Sequence, residues 1–127
     1  MDLKEKELLL KDLCARLLYG VKIHYRYSNS LGRVFDEDRE LDFSDVETLK
    51  YSIENKQDDW CDFSLKPYLR PMSSMTEEEK REYQAFFNYD GVEHPEEYID
   101  WLLAHHFDFR GLIEKALAIE ALTGMYV

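Results

Sequence analysis

The spacing of apolar residues changes from a helical to a strand period at Gly20. Between Leu3 and Leu18 they recur every three or four positions, which places them on one face of a helix. Glycine favours the left-handed conformation that ends helices. From Val21 to Tyr27 every second residue is aliphatic or aromatic, the period of a strand with one solvated face. We therefore expect a helix and then a strand. The predicted inner residues of the helix are Leu3, Leu10, Leu13, Cys14, Leu17 and Leu18.

The segments that follow predict the rest of a small antiparallel sheet. Residues 28–32 are turn formers, and residues 33–43 place large apolar side chains among acids, which indicates a return strand and a hairpin. Residues 60–69 have the composition of an extended segment, with Trp60, Phe63 and Leu65 as packing residues. Pro67 marks an edge or an end of that strand. The sheet would then have about three strands.

A short helix is predicted between the second and third of these strands. Ser44 and Glu47 have the spacing of a capping box, in which each side chain accepts a hydrogen bond from the other residue's amide. The helix would run to about Asn55. The same segment contains residues that favour a strand, so both structures stay open. These residues are Val46, Thr48, Tyr51 and Ile53.

Helical spacing dominates after the polar break at residues 71–74. Thr76 and Glu79 form a second capping-box pattern, and that helix would stop near Asn88. Pro95 suits the first position of another helix. Asp108 is the expected cap of a last helix that ends at Gly124, with Leu112, Ile113, Ala116, Leu117 and Leu122 on its inner face.

These patterns predict an α+β fold with an N-terminal helix, a small antiparallel sheet of about three strands and about three C-terminal helices. The 127 residues, 45% of them hydrophobic, suit one domain over residues 1–127. Residues 1–70 would form its helix-plus-sheet half and residues 71–127 its helical half. No apolar run approaches the roughly 20 residues of a membrane span, and the N-terminus lacks a secretory pattern. We expect a cytoplasmic protein in which Cys14 and Cys61 are reduced, one or both of them buried.

A formal net charge of −11 disfavours binding to nucleic acid or to anionic lipid. The densest acidic stretch begins in the predicted return strand. Its carboxylates are either a solvated face that protects a sheet edge or, with Asp58, Asp59 and Asp62, a surface for a basic partner or a mimic of nucleic acid. The residues of this predicted partner face are Asp36, Glu37, Asp38, Glu40 and Asp42.

Candidate chemistry is sparse. His105 and His106 with Asp108 suggest a metal site, but adjacent residues of a helix point about 100° apart, which favours a structural role at a helix end. Arg70 with Ser73 and Ser74, followed by the amides that begin a helix, would suit an anion. A rigid hinge with a helix cap is the interpretation that the pattern favours for those three residues.

No nucleophile motif or glycine-rich phosphate loop is present, so we assign no catalytic residue and expect no cofactor. Cys14 lies on the apolar stripe, where a thiol usually behaves as a small hydrophobe. Nine tyrosines, seven phenylalanines and two tryptophans form either an aromatic-rich core or a partly exposed interface.

Three stretches of the chain resemble small uncharacterised proteins encoded by gut Bacteroidetes and their phages or prophages. They are LLLKDLCARLLYGV at 8–21, KPYLRPMSSMTEEE at 66–79, and IDWL at 99–102 with HHFDFRGLIEK at 105–115. The resemblance implies a bacterial cytoplasm and a phage or mobile-element origin, and it carries no functional residue. Leu18 stands where proline is usual and Ala116 where glycine is usual, changes that we expect to favour a longer, smoother helix.

The function that these observations favour is that of a non-enzymatic accessory protein acting by protein–protein binding, without direct contact to nucleic acid or membrane. A nucleic-acid-mimicking inhibitor of a DNA- or RNA-binding protein is one alternative. A small metal-dependent enzyme is another, with ligands among His94, His105, His106 and Asp108.

Overall fold

The computed structural model describes residues 2–55 and 62–126. Its α+β architecture contains a four-stranded mixed sheet in the order β2-β1-β3-β6 and a two-stranded sheet of β4 and β5. The helices are α1 (Leu3–Arg16), α2 (Phe43–Asn55), α3 (Glu77–Gln84) and α4 (Pro95–Ala104), with short 3-10 turns at Leu17–Tyr19 and Met72–Ser74. The strands are β1 (Lys22–Ser28), β2 (Val34–Glu40), β3 (Asp62–Leu69), β4 (Phe87–Asn88), β5 (Gly91–Val92) and β6 (Ile119–Glu120).

Helix α1 buries a different face from the one predicted. Asp2 and Glu5 form a capping box at its start, and Gly20 ends the following turn in the left-handed conformation, as expected. The predicted stripe is right at Leu13 and in part at Leu10 and Leu17, which pack against the core. It is wrong at Leu3 and Cys14, which are exposed, and at Leu18, which is 92% exposed. The prediction failed because it kept charged residues off the inner face. The buried residues of α1 are Leu9, Asp12, Leu13 and Arg16.

The predicted hairpin and the third antiparallel strand are confirmed. Strand β1 pairs with β2 and with β3, both antiparallel, and Tyr25 lies opposite Glu37 on one side and Leu65 on the other. The side of the sheet that carries Ile23 and Leu65 joins residues of α1 and α2 in one buried cluster. The remaining members of that cluster include Leu112, Leu117 and Ala118 from the C-terminal segment. Alternate residues of β1 therefore separate the core from a polar face.

The segment between β2 and β3 is a helix, which resolves the alternative that the sequence left open. Its cap is not Ser44 with Glu47 but Asp42 with Asp45. The Asp45 amide donates to Asp42 Oδ1 over 3.2 Å, and the Asp42 amide donates to Asp45 Oδ2 over 3.0 Å. This reciprocal geometry is that of a capping box that lies two residues before the predicted one. The shorter carboxylate of Asp45 takes the role expected of Glu47.

Two of the three predicted C-terminal helices form. Thr76 and Glu79 make the expected capping box of α3, and Pro95 begins α4. Helix α3 ends at Gln84 rather than near Asn88, because Phe87–Asn88 pairs with Gly91–Val92 across the predicted turn.

The last predicted helix is wrong. Residues 109–118 form turns and bends, and Ile119–Glu120 then pairs in parallel with Tyr68 and Leu69 of β3 as a fourth strand. Asp108 does accept hydrogen bonds from the amides of Leu112 and Ile113, at 2.8 and 2.9 Å, but a helix does not follow. The backbone of Ala116 has a φ of 60°, a left-handed conformation that interrupts any helix.

Several predicted features fall outside the described residues: Trp60, Cys61, Asp58 and Asp59, together with the side chains of Asp62 and Phe63. Within 2–55 and 62–126, no helix combines the length and the apolar character needed to cross a membrane.

Candidate functional site

Arg70, which follows β3 directly, holds the acidic start of α3. Its guanidinium donates to both carboxylate oxygens of Glu79, over 2.7 and 2.8 Å, and lies 4.3 Å from the ring centroid of Phe107. The hydrogen bonds from Arg70 lower the pKa of Glu79 to about 2, with help from the Thr76 amide. A bidentate pair of this kind fixes orientation as well as charge. We call Arg70, Glu79 and His105 the clamp.

The predicted anion-binding residues do not make the contacts that the sequence suggested. The structure brings Ser74 to Arg70 through its backbone carbonyl, 3.3 Å from Nη2, while the Ser74 hydroxyl donates to the Pro71 carbonyl. Ser73 is exposed. The amide of Thr76, which begins α3, already donates to Glu79 over 2.9 Å. An external anion at this place would have to displace Glu79, and its binding by Arg70, Ser73 and Ser74 stays a prediction.

The two adjacent histidines lie just beyond the end of α4 and have separate surroundings. His105 Nδ1 lies 3.1 Å from Glu79 Oε2, and its ring lies 4.5 Å from that of Trp101. His106 is 91% buried, and its Nδ1 has no hydrogen-bond partner among the described residues. Burial first, and the nearby positive charge of Arg16 second, lower the pKa of His106 to about 4. The imidazole is therefore neutral near pH 7.

The residues of the metal hypothesis do not converge. The carboxylate of Asp108 is bonded to two backbone amides, and His94 is an exposed residue at the start of α4. No group of three or more potential ligands is arranged around a common point within the described residues.

A cleft of about 400 Å³ lies beside the clamp and His106. Its lining includes Lys22 from the first strand, Arg70 and Tyr126. The Tyr126 hydroxyl accepts a hydrogen bond from the Lys22 amide over 2.8 Å and donates to the Tyr68 carbonyl over 2.7 Å. The C-terminal segment is thereby fastened across the ends of β1 and β3. The sequence did not indicate Lys22 and Tyr126 as site residues. The contact between them depends on the turns before β6, which were not predicted.

A buried ion triad lies on the inner side of α1. The carboxylate of Asp12 accepts from Arg16 over 2.7 Å and from Arg110 over 2.6 Å. Arg16 also donates to the Phe107 carbonyl over 2.8 Å, next to His106. Asp12 and Arg16 are fully buried. Their separation of four residues was a signal in the sequence, since such pairs face each other on a helix.

The predicted acidic partner face is divided between the two sides of β2. His24 of β1 contacts Asp36 at 3.0 Å and Asp38 at 2.7 Å, and Tyr68 donates to the same Asp38 oxygen over 2.7 Å. The hydrogen bonds from His24 and then Tyr68 lower the pKa of Asp38. The strand register also places Glu40 opposite Lys22. Basic residues of β1 thus face the acids on this side of the sheet.

The other acids of that stretch belong to the opposite side of the sheet and to α2. Arg39 donates to Glu37 over 3.0 Å and to Asp45 over 2.7 Å. Asp42 caps α2, and the hydroxyl of Ser44 lowers the pKa of the Asp42 carboxyl. A mimic of nucleic acid requires an unbroken row of free carboxylates, and these contacts give that hypothesis no support.

Strand β2 is nevertheless an edge of the sheet. The Leu41 amide donates to the Val21 carbonyl and the Asn29 amide to the Arg33 carbonyl, which identifies the odd-numbered residues of β2 as the ones bonded to β1. The even-numbered residues from 34 to 40 therefore direct their N–H and C=O groups away from the sheet. In the described part of the chain no strand pairs with that edge.

Aromatic residues form a second cluster rather than joining the main core. Tyr83, Phe87 and Tyr98 lie with ring centroids 5.0 to 5.9 Å apart, and Trp101 extends the cluster towards Phe107. Tyr89, at the tip of the β4–β5 hairpin, is fully exposed. Aromatic residues are thus both packed in this cluster and exposed at the surface, and a role for the exposed ones in an interface stays a prediction.

Comparison with known proteins adds no relative to this geometry. No protein-family model, curated protein or solved structure matches the chain.

Proposed function

We propose that this protein is a non-enzymatic accessory protein that binds another protein by accepting one of its extended segments along the outer edge of β2. The observation that carries the proposal is the row of outward-facing backbone groups between Val34 and Glu40 at an edge of the sheet. Apart from the Glu40 carbonyl, which accepts a hydrogen bond from Arg39 Nη1 over 3.4 Å, this row can form a ladder with an added strand, and main-chain hydrogen bonds then supply the affinity.

The charge of β2 selects the partner. Its sequence, VFDEDRE, contains four carboxylates and one guanidinium. A second copy of β2 would bring like charges together, which is unfavourable directly across a strand pair. A basic segment would instead be attracted, both on approach and in the final register. The expected partner segment is therefore extended and rich in Lys or Arg.

The cellular setting belongs to the same proposal. A bacterial cytoplasm and a phage or mobile-element origin are supported only by the resemblance of residues 8–21, 66–79, 99–102 and 105–115. Strand addition explains the acids of β2 better than nucleic-acid mimicry does, because His24 and Arg39 engage several of them.

The test is a titration of a fluorescent peptide of alternating lysine and valine, about eight residues long. We expect saturable binding, followed by fluorescence anisotropy. Asp36→Pro removes one outward N–H at a position where an edge strand tolerates proline, and it should weaken binding at least about tenfold. Asp36→Asn is the matched control, which loses the same charge and keeps the amide, and it should weaken binding only a few-fold.

Two results would contradict strand addition. Equal losses in the Pro and Asn variants would mean that charge alone holds the peptide. Unchanged affinity for a peptide methylated on alternate backbone nitrogens would mean that no ladder forms. Circular dichroism and the melting temperature check that both variants remain folded.

A further inference from the structure

Positive charge is concentrated around His106 in a chain whose net charge is −11. Lys22 and Arg70 line the same cleft as His106. Arg16 lies behind it, bonded to the carbonyl of the next residue, Phe107. The groups near the imidazole thus come from α1, β1 and the end of β3, together with the neighbouring His105 and the ring of Tyr126 that stacks on it. Glu79 is the carboxylate that lines this cleft.

The neighbouring acids neutralise only part of this charge. Glu79 balances Arg70 through the bidentate pair. Asp12 is shared between Arg16 and Arg110, so two guanidinium groups face one carboxylate and one positive charge remains. Lys22 contributes another: Glu40 lies opposite it in the strand register, but the Lys22 ammonium forms no ion pair with it in the described part of the chain and donates to the Met125 carbonyl over 3.2 Å. A cleft with this balance attracts anions, because its walls focus the field of the fixed charges.

His106 is the group in the cleft whose hydrogen bonding is incomplete. Its Nδ1 has no partner among the described residues, although His106 is 91% buried. Buried polar atoms normally have partners, and an exception suggests a functional role. The imidazole gains a second donor on protonation. A negative charge beside it would favour that protonated form.

We infer that the cleft beside Lys22 and His106 binds a small ligand that carries an oxyanion, either a carboxylate or a phosphate group. Lys22 supplies the accessible positive charge, and His106 takes up a proton as the anion enters. The volume of about 400 Å³ lies in the range of small-molecule sites. The proposed seat is distinct from that of Arg70, Ser73 and Ser74, because Arg70 keeps Glu79 as its partner. It is also independent of strand addition at β2.

The experiment follows the ring nitrogens of His106 by NMR while inorganic phosphate, or acetate in a second series, is added to the full chain. At about pH 5.5, between the lowered pKa of about 4 and the ordinary value of 6.5, the imidazole is mostly neutral without ligand. We expect saturable shifts towards the imidazolium form and an apparent pKa higher by about one unit. Whichever anion binds more tightly identifies the ligand class.

Lys22→Met tests the site without altering the buried groups, and it should weaken anion binding at least about tenfold. Lys66→Met, on the strand beside β1, is the matched control and should leave the affinity unchanged. The inference is overturned if no saturable shift occurs at His106, or if Lys22→Met and Lys66→Met behave alike. Peptide binding at β2 is measured on the same variants, so that a failure of one site is distinguished from a failure of the other.

Discussion

The ring of His106 stacks on the ring of Tyr126, with centroids 3.8 Å apart and planes inclined by 20°. His106 has a left-handed backbone, with a φ of 63°, immediately after the turn that ends α4. Tyr126 belongs to the C-terminal segment that follows β6. The stack therefore adds a side-chain contact between two segments that each pair with the end of β3, and it lies where the chain crosses the ends of β1 and β3.

The protonation of His106 should make the folded state less stable in mild acid. Its pKa is about 4 in the folded protein and about 6.5 in an unfolded chain, so the unfolded state binds more protons between these values. The free energy of unfolding should therefore fall as the pH decreases from about 6.5 to about 4, by roughly 1–3 kcal/mol. Urea unfolding at a series of pH values measures this slope.

The matched variant for that slope is His106→Gln, which removes the titrating group and keeps a polar side chain. Its stability should depend less on pH between about 4.5 and 6.5 than that of the parent protein. Glu79 does not interfere, because its lowered pKa of about 2 causes a loss of stability only below about 4.5. Equal slopes in the parent and the variant would show that His106 does not control the acid response.

The Tyr126 hydroxyl should contribute measurably to stability, because it serves two backbone groups at once. In Tyr126→Phe the ring remains, but the Lys22 amide and the Tyr68 carbonyl both lose a partner. We expect a loss of about 1–3 kcal/mol in the free energy of unfolding. Tyr89→Phe is the control, since Tyr89 is fully exposed and its hydroxyl should contribute little. Similar stabilities for the two variants in urea would contradict the bridging role.

The amino acid pattern predicted the local structures that depend on local signals. The capping pair Thr76 and Glu79 and the proline that begins α4 identified two helices, because these interactions involve neighbouring residues. The segment after Asp108 was misassigned because its apolar residues have helical spacing. Leu112 and Leu117 are indeed buried, but turns and bends bury them as well as a helix would.

The candidate sites depended on distant contacts that spacing does not encode. Arg70 was singled out for an anion, and the structure gives it Glu79, a carboxylate of the chain itself. Lys22 and His106 line one cleft because the Arg70 amide donates to the His106 carbonyl, which places the chain after α4 beside the end of β3. The spacing of Asp12 and Arg16, four residues apart, could have indicated an ion pair on the apolar side of α1. Arg110, which also pairs with Asp12, comes from the far end of the chain, and no spacing indicates that contact.

Ala116→Gly should stabilise the protein slightly, although glycine usually weakens a fold. The φ of 60° at Ala116 is costly for a residue with a Cβ atom, by about 1 kcal/mol or more, whereas glycine adopts it freely. The greater freedom of glycine in the unfolded chain offsets part of this gain. We expect a net increase of up to about 1 kcal/mol. The geometry also corrects the expectation that alanine here extends a helix.

Ala15→Gly is the matched control, because it makes the same chemical change inside α1. That substitution should destabilise the protein by about 1 kcal/mol, since glycine is a poor helix former. Opposite signs for the two variants in urea unfolding would support the left-handed conformation at Ala116. A comparable loss in both would show that residue 116 is helical in solution.

Removing the charge of Glu79 should loosen α3 without unfolding the main core. Glu79 accepts hydrogen bonds from Arg70 and from the Thr76 amide, and it lies beside His105. No residue of α3 is buried. This carboxylate attaches the helix to β3 and to the end of α4, in addition to the packing of Tyr83 on Tyr98 and the hydrogen bond from Trp101 to Glu82. Glu79→Gln should cost about 1–3 kcal/mol, because a bidentate charged pair is lost in a partly buried place.

Hydrogen exchange of individual amides measures that local effect. In Glu79→Gln the amides of α3 should exchange faster by about tenfold or more, while those of α1 and β1 change less. Glu78→Gln is the control, since Glu78 is exposed in the same first turn and lies outside the clamp. Acceleration spread evenly over α1, β1 and α3 would mean that Glu79 stabilises the whole fold. Equal acceleration of α3 in both variants would mean that the helix dipole, and not the pairing with Arg70, accounts for the effect.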